Sequence, residues 1–573
     1  MAIGFVLCSV SIIASLVLGG GTRPGFLGDV ILQLLTIPVL LHAVWRHADM
    51  SRERRDNRLL LVPALLVLVP ALQLVPLPAT LWRALPGHDL AVEAFELSAQ
   101  SLPSLPISVA PTETWGAVLS LIPLLAIFLG TVLLDHADRR RLSLVVIGMG
   151  LVSAALGLLQ VGQGPASPLR PFEFTSSDDA VGFFANRNHM AALTYSVTLL
   201  LGAWLVTLLT MRAPSRKLRS NGTPWTLQMI AALTAFAALI ATEAMTRSRT
   251  GIALMLVAMA AVFALSVSAH DKNAGRASTR IIVGACALGL FLVMQYALYA
   301  TVERFAGSDP LKDGRVAIAR ATIAAAKSYM PWGAGIGSFT SVYPTFEKVE
   351  DTMRDTYVNR AHNDILETWL ETGVVGPVLL AGFTLWLVTR LVAVWRRGPA
   401  LGHPADRLLA CAAAVILLLL LVHSFLDYPL RTAAMMAVAG YCCGLLVPPR
   451  LPTEEKLLDV VGEAAAQQRH RPRRQVVPIS VGPVSMASVL GSSSPSAGQD
   501  DSSRTPHRVD WPENVHRPAE SMATTALESK SDRSYSEDWP EGWLEPAGND
   551  LPDWMKRSRR KPPKQAPDDD SST

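Results

Sequence analysis

Residues Tyr357–Gly376 read YVNRAHNDILETWLETGVVG, with Arg360, His362, Asn363, Asp364, Glu367 and Glu371 crowded into a few turns. Asn363 is a predicted N-cap for a short helix, and acids in a first turn suit the helix dipole. Helical spacing puts Ile365, Leu366, Trp369 and Leu370 on one face. Asp364, Glu367 and Glu371 fall on the other side. Gly373 predicts a break, and apolar sequence resumes at once. The pattern describes a polar site held at a membrane surface, with one histidine at its head.

The sequence on either side supports that setting. Half of the 573 residues are hydrophobic, and the mean hydropathy is positive, +0.31. Apolar runs of about 20 residues recur, which a soluble chain of this length would not carry. The fold expected is all-α, a polytopic membrane protein with about twelve spans. They fall near residues 3–19, 28–45, 59–77, 115–134, 142–160, 189–211, 226–245, 250–269, 281–300, 373–395, 408–426 and 431–447. Alternate loops are basic: Arg46 to Arg58, Asp135 to Arg141, Arg212 to Trp225, His270 to Arg280 and Arg396 to Arg407. The positive-inside rule makes these loops cytoplasmic, together with both termini. Cys8, Cys286, Cys411, Cys442 and Cys443 all sit in apolar runs and read as small hydrophobes. The N-terminus lacks a basic n-region and reads as a retained first helix.

Two outward loops are long. Residues 78–114 are rich in Pro and Leu. Residues 301–372 contain the opening stretch, a helical pattern DGRVAIARATIAAAK (Asp313 to Lys327) and PWGAGIGSF (Pro331 to Phe339). The glycines of that last segment call for a tight turn. From residue 448 onward Ser, Pro, Arg, Asp and Glu replace the apolar runs. This composition predicts a disordered, cytoplasmic tail over 448–573. Three regions follow: N-terminal membrane helices 1–180, a membrane core 181–447 that includes loop 301–372, and the tail.

Arginines on cytoplasmic loops are topological by default, whereas those at outward helix ends need another reason. Arg187, Arg247, Arg249, Arg315, Arg360 and Arg431 form the outward set. Each has a bland reading as a snorkelling or ion-paired residue; for Arg247 the partner would be Glu243, one turn earlier. Several beside a histidine-bearing loop shift the reading towards an anion site. The turn TRSRTG (Thr246 to Gly251) sets Arg249 at the mouth of two helices, and Gly251 allows close approach. GFFANRNH (Gly182 to His189) opens another helix, where Asn186, Arg187 and backbone amides are candidate contacts to phosphate or sugar. Capping by Asn188 is the equal alternative. His423 and Asp427, one turn apart, read as a structural pair. No metal-site, P-loop or dinucleotide motif is present, so no cofactor is expected.

Together, SRTG at Ser248 to Gly251, the arginine of GRVAIAR ahead of PWGAGIGSF, and AHNDILETWLETGVVG resemble the O-antigen ligase and polymerase superfamily of bacterial inner-membrane proteins. The resemblance runs over roughly residues 182–446, in matching order. It implies a GT-C-like glycosyltransferase acting without a metal on the periplasmic face. The implied donor is a glycan on undecaprenyl diphosphate, and the implied acceptor is lipid A core or a growing glycan. Membrane lipid surrounds the chain, and nucleic acid is not an expected partner. Carried over, the resemblance puts catalytic roles on Arg249, Arg315 and His362. Arg247, Arg187, Asn186, Arg360 and Asn363 join as candidate substrate contacts. Fixed arginines can neutralise a departing diphosphate, and a histidine can take the acceptor's proton. Two features depart from the family's pattern: the long polar tail, and small residues where an aromatic usually follows the loop arginine. Alternatives are a lipid-linked glycan flippase or transporter, a protein O-oligosaccharyltransferase of the same superfamily, or a scaffold acting through the tail.

Overall fold

The computed structural model describes residues 2–23, 25, 27–49, 60–210, 225–269, 284, 314–352, 358–396 and 403–448. All lie in one compact unit, residues 1–472. The expected ninth span (281–300), apart from residue 284, and the tail beyond residue 448 lie outside the described residues.

Helices carry nearly everything. In chain order they are α1 (Ala2–Leu18), α2 (Leu27–Ala48), α3 (Leu61–Gln73), α4 (Ala79–Trp82), α5 (Asp89–Leu97), α6 (Pro111–Leu133), α7 (His136–Gln163), α8 (Arg187–Thr210), α9 (Trp225–Thr246) and α10 (Arg249–Ala269). There follow α11 (Gly314–Ser328), α12 (Phe339–Val342), α13 (Asp364–Thr372), α14 (Val375–Arg396), α15 (Pro404–His423) and α16 (Ala433–Leu446). Among the described residues, eight are long and apolar enough to cross a membrane: α2, α6, α7, α8, α9, α10, α14 and α15. Apolar stretches of α1, α3 and α16 are shorter. A minimal antiparallel ribbon, β1 (Pro76–Leu77) against β2 (Leu105–Pro106), is a feature that hydropathy does not foretell.

α8 is the hub of the bundle and packs against α9, α10 and α15. It is apolar all round, as a helix enclosed by others must be, and 89% of its most apolar window is buried. Its Ser and Thr hydroxyls are satisfied in that setting by bonds within the helix. Thr194, Ser196, Thr198 and Thr207 donate to the carbonyls of Met190, Ala192, Thr194 and Ala203. α14 is the opposite case. Only 11% of its most apolar stretch is buried, a pattern that suits a lipid-facing helix.

Residues 314–372 build a second, smaller core from Ile318, Ala325, Tyr329, Phe339, Tyr343 and Leu370. α11 stands over the Asp313–Lys327 pattern, and the turn at Gly333, Gly335 and Gly337 has φ of +80°, +104° and +87°. A side chain at Gly335 would collide with Ser108, and one at Gly337 would crowd the Glu113 backbone. These glycines therefore serve close approach as well as backbone conformation.

Candidate functional site

The ends of α8, α9, α10, α11, α13 and α15, with the segments next to them, supply the side chains. Asn363 caps α13: its side chain accepts from the Ile365 and Leu366 amides, both at 3.0 Å. Its amide also donates to the Phe425 carbonyl at 2.8 Å. His362, immediately before it, adopts φ +50°, an uncommon state for a non-glycine residue and one that functional sites often store.

Asp427 is the hub. Its Oδ1 lies 3.2 Å from His362 Nδ1, and its Oδ2 lies 3.8 Å from Arg315 Nη2. The Asn188 side-chain amide donates to Asp427 Oδ2, and the Tyr428 backbone N–H donates to Oδ1 at 3.0 Å. Burial alone would push this carboxyl up. The His362 hydrogen bond and the nearby positive charge outweigh burial and hold it well below the usual carboxylate range. An ionised carboxylate only accepts, so His362 Nδ1 carries the hydrogen, and in the neutral tautomer Nε2 is the acceptor nitrogen. Tyr428 packs edge-on against the His362 ring, with centroids 5.0 Å apart, and against the buried His189 ring at 4.8 Å. Its hydroxyl, raised by burial, bonds the Asn186 side chain. The Arg315 guanidinium also donates to the Leu426 carbonyl at 3.0 Å.

Asp179 forms a second junction. Arg187 Nη1 contacts its Oδ2 at 2.8 Å, and Arg247 Nη1 lies 3.8 Å from its Oδ1. Glu243 is not the partner expected for Arg247; both its carboxylate oxygens are buried without a hydrogen bond. At the start of α8, Asn186 rather than Asn188 does the capping, its side chain accepting from the Asn188 amide at 2.8 Å. Arg249 opens α10 with an exposed side chain, two residues beyond Arg247. Close approach at Gly251 is real: a Cβ there would strike Ala191 of α8 and the Glu243 carboxylate.

Beneath these groups lies a buried ion cluster. Asp364, Glu367 and Glu371 point inward rather than to solvent, with exposures of 7%, 0% and 1%. Arg431 reaches Asp364 at 3.2 Å, Glu367 at 3.5 Å and Glu371 at 2.8 Å. Arg360 pairs with Glu367 at 2.8 Å. Three carboxylates thus face two guanidinium groups. Burial pushes Asp364 up to about 7, partly offset by Arg431. Burial also raises Glu371. For Glu367 burial opposes ionisation, but Arg431 and Arg360 win and lower it. Burial and the surplus of carboxylates over guanidinium groups thus favour the protonated form at Asp364 and Glu371, and the two arginines favour the ionised form at Glu367.

The sequence-predicted residues therefore separate into groups. His362 and Arg315 meet at Asp427, and Arg187 and Arg247 meet at Asp179. Asn186 holds Tyr428, while Arg360 and Asn363 are engaged in the framework of α13. His423 does not bond the Asp427 side chain; its Nδ1 lies 3.3 Å from the Tyr195 hydroxyl. Sequence reasoning took Asp427 only as a structural partner of His423 and Asn188 only as a helix cap, and it gave no role to Tyr428 or Asp179. The one available signal was an acid, Asp427, four residues beyond a histidine at a helix end. Among the described residues, no three or more His, Cys, Asp or Glu side chains are grouped to hold a metal ion.

A many-helix membrane protein with a histidine–carboxylate pair and several arginines at helix ends defines the class. Residues 234–381 match the family model described as O-antigen ligase, so over that segment the chain is similar to the O-antigen ligase and polymerase superfamily. The segment contains Arg247, Arg249, Arg315, Arg360, His362 and Asn363. No curated protein matches the chain.

Proposed function

We propose that this chain is an inverting, metal-independent glycosyltransferase of the inner membrane. It takes a glycan from undecaprenyl diphosphate and passes it to an acceptor hydroxyl, on lipid A core or a growing glycan, at the periplasmic face. The acceptor oxygen forms its bond to the anomeric carbon as the bond from that carbon to the diphosphate breaks. The electron pair leaves with the diphosphate, and Arg249 and Arg315 neutralise it. His362 Nε2 accepts the hydroxyl proton, and Asp427 stabilises the imidazolium that results. The observation carrying this reading is the His362 Nδ1 to Asp427 Oδ1 contact of 3.2 Å. It leaves Nε2 as the basic atom, with an arginine on the same carboxylate.

The test pairs donor binding with single-turnover transfer in reconstituted vesicles. His362→Ala should bind donor normally and lose roughly 100-fold or more in the chemical step. His362→Gln should not rescue, because an amide takes no proton at neutral pH. Arg249→Lys, which keeps charge but not the planar fork, should weaken donor binding as well. Full transfer by His362→Ala would remove His362 as the base, and no transfer by the parent protein would favour a glycan transporter. Glycans accumulating in a deletion strain identify the acceptor: single repeats on lipid A indicate a polymerase, and full chains left on the carrier indicate a ligase.

A further inference from the structure

Gln73, the last residue of α3, lies outside the segment that matches the family model, yet it holds three separate strands of chain. Its carbonyl accepts from the Ser108 amide at 3.0 Å. Its side-chain Oε1 accepts from the Ile336 amide at 3.0 Å. Its Nε2 donates to the Glu371 carbonyl at 2.8 Å. The side chain is buried, so both of its bonds are made away from water, where losing one leaves a backbone group unpaired.

From there a continuous run of contacts leads to the candidate site. Glu371 Oε1 accepts from the Gly337 amide at 2.8 Å, and Glu371 Oε2 accepts from Arg431 at 2.8 Å. Arg431 Nε donates to Asp364 at 3.2 Å. Asp364 accepts from the Ser424 hydroxyl at 2.9 Å, and its amide donates to the Ser424 carbonyl at 2.8 Å. Asp364 follows His362 by two residues, and Ser424 precedes Asp427 by three. The same neighbourhood is braced from residues 108–114. Thr114 donates to the Ile336 carbonyl at 2.7 Å, and the Val109 amide donates to the Ala334 carbonyl at 2.9 Å.

We infer that Gln73 is a positioning residue for the transfer reaction. By fixing the glycine turn against the end of α13, it sets the spacing between His362 and Asp427 through Glu371, Arg431 and Asp364. The inference rests on the function proposed above. It assigns the N-terminal membrane region a part in the site, without any contact to substrate.

The test uses the full chain in vesicles, with undecaprenyl-diphosphate-linked glycan as the probe. Gln73→Met keeps length and volume but neither side-chain hydrogen bond. Gln73→Glu keeps the acceptor for Ile336 and presents an oxygen to the Glu371 carbonyl. Amide exchange over residues 332–339 should quicken by about tenfold in Gln73→Met, the scale of one buried hydrogen bond. Single-turnover transfer should fall by a similar factor, with donor binding within about twofold of the parent. Gln73→Glu should lose transfer as well, and it decides the matter if Gln73→Met inserts poorly. Unchanged exchange overturns the clamp. Faster exchange with full transfer overturns the positioning role, as do donor binding and transfer falling together with the folded fraction. His362→Ala, run alongside, separates the two claims: if it transfers normally, the reaction assignment fails, and the clamp stands or falls on exchange alone.

Discussion

Replacing Asp427 with Asn keeps the shape of the hub and removes its charge. The carboxylate is 1% exposed, and its Oδ1 sits 3.2 Å from His362 Nδ1. A unit charge pair at that separation is worth about 5 kcal/mol at an effective dielectric near 20. His362 is a quarter exposed, 26% by side chain, so water screens part of this. Roughly 2–4 kcal/mol remains for the imidazolium that forms as the acceptor loses its proton, a rate loss of about 30- to 1,000-fold. The ground state is less affected, because an amide oxygen can still accept from Nδ1. Asp427→Asn should therefore bind donor nearly normally and fail in the chemical step. The assay is single-turnover transfer beside donor binding, with melting temperature as a control for the bond lost to Asn188. Combined with His362→Ala, it should add little to the single histidine defect, since the two act as a unit. Transfer by Asp427→Asn within threefold of the parent would refute the pair. Multiplication of the two defects in the double variant would refute their acting together.

Arg431→Met should destabilise the fold by roughly 3–5 kcal/mol, the cost of leaving buried carboxylates without their partner; thermal denaturation in detergent reads this, with Arg431→Lys intermediate. Asp364 gives a pH signature. Its carboxyl is raised to about 7 by burial, so the folded state keeps a proton that the unfolded chain releases above about pH 4. The resulting contribution is present below that pH and is lost as pH rises through about 7, a swing of up to about 4 kcal/mol. Asp364→Asn should flatten the stability profile between pH 5 and 8 relative to the parent, and identical slopes would remove Asp364 from the account.

Much of the membrane architecture was legible because burial in lipid is written into hydropathy. Where charge interrupts a helix, hydropathy misleads. The expected span at 142–160 is in fact the longer α7, which begins at His136 within the basic segment. Asp135 caps it, accepting from the Asp138 amide at 2.8 Å. Arg139 is accommodated in its first turns because it donates to the carbonyls of Leu134, Val132 and Val447. Such tertiary acceptors have no trace in a window average. The site divides the same way. Helical periodicity put Asp364, Glu367 and Glu371 on one face of α13, and that holds. What meets the face depends on Arg431, sixty residues or more along the chain. Spacing alone did not say what covers that face; ion pairing makes it a buried side.

This arrangement bears on what the matched segment can do by itself. Residues 234–381 contain His362 and the arginines assigned to the diphosphate, but Asp427, Arg431 and Asn188 lie outside it. Without Asp427, His362 has no anion to fix its tautomer. Without Arg431, three acids under the histidine loop lose the charge that lets them be buried. Buried ion clusters of this kind are weak sources of net stability, since desolvation offsets most of the attraction. Their return is geometric: a planar guanidinium satisfied by three carboxylates accepts few arrangements. In this chain that restriction acts on α13, and through Asn363 and Ser424 on the two loops that bring His362 and Asp427 together. On the proposed function, the matched segment would supply the reacting groups and the flanking helices their spacing.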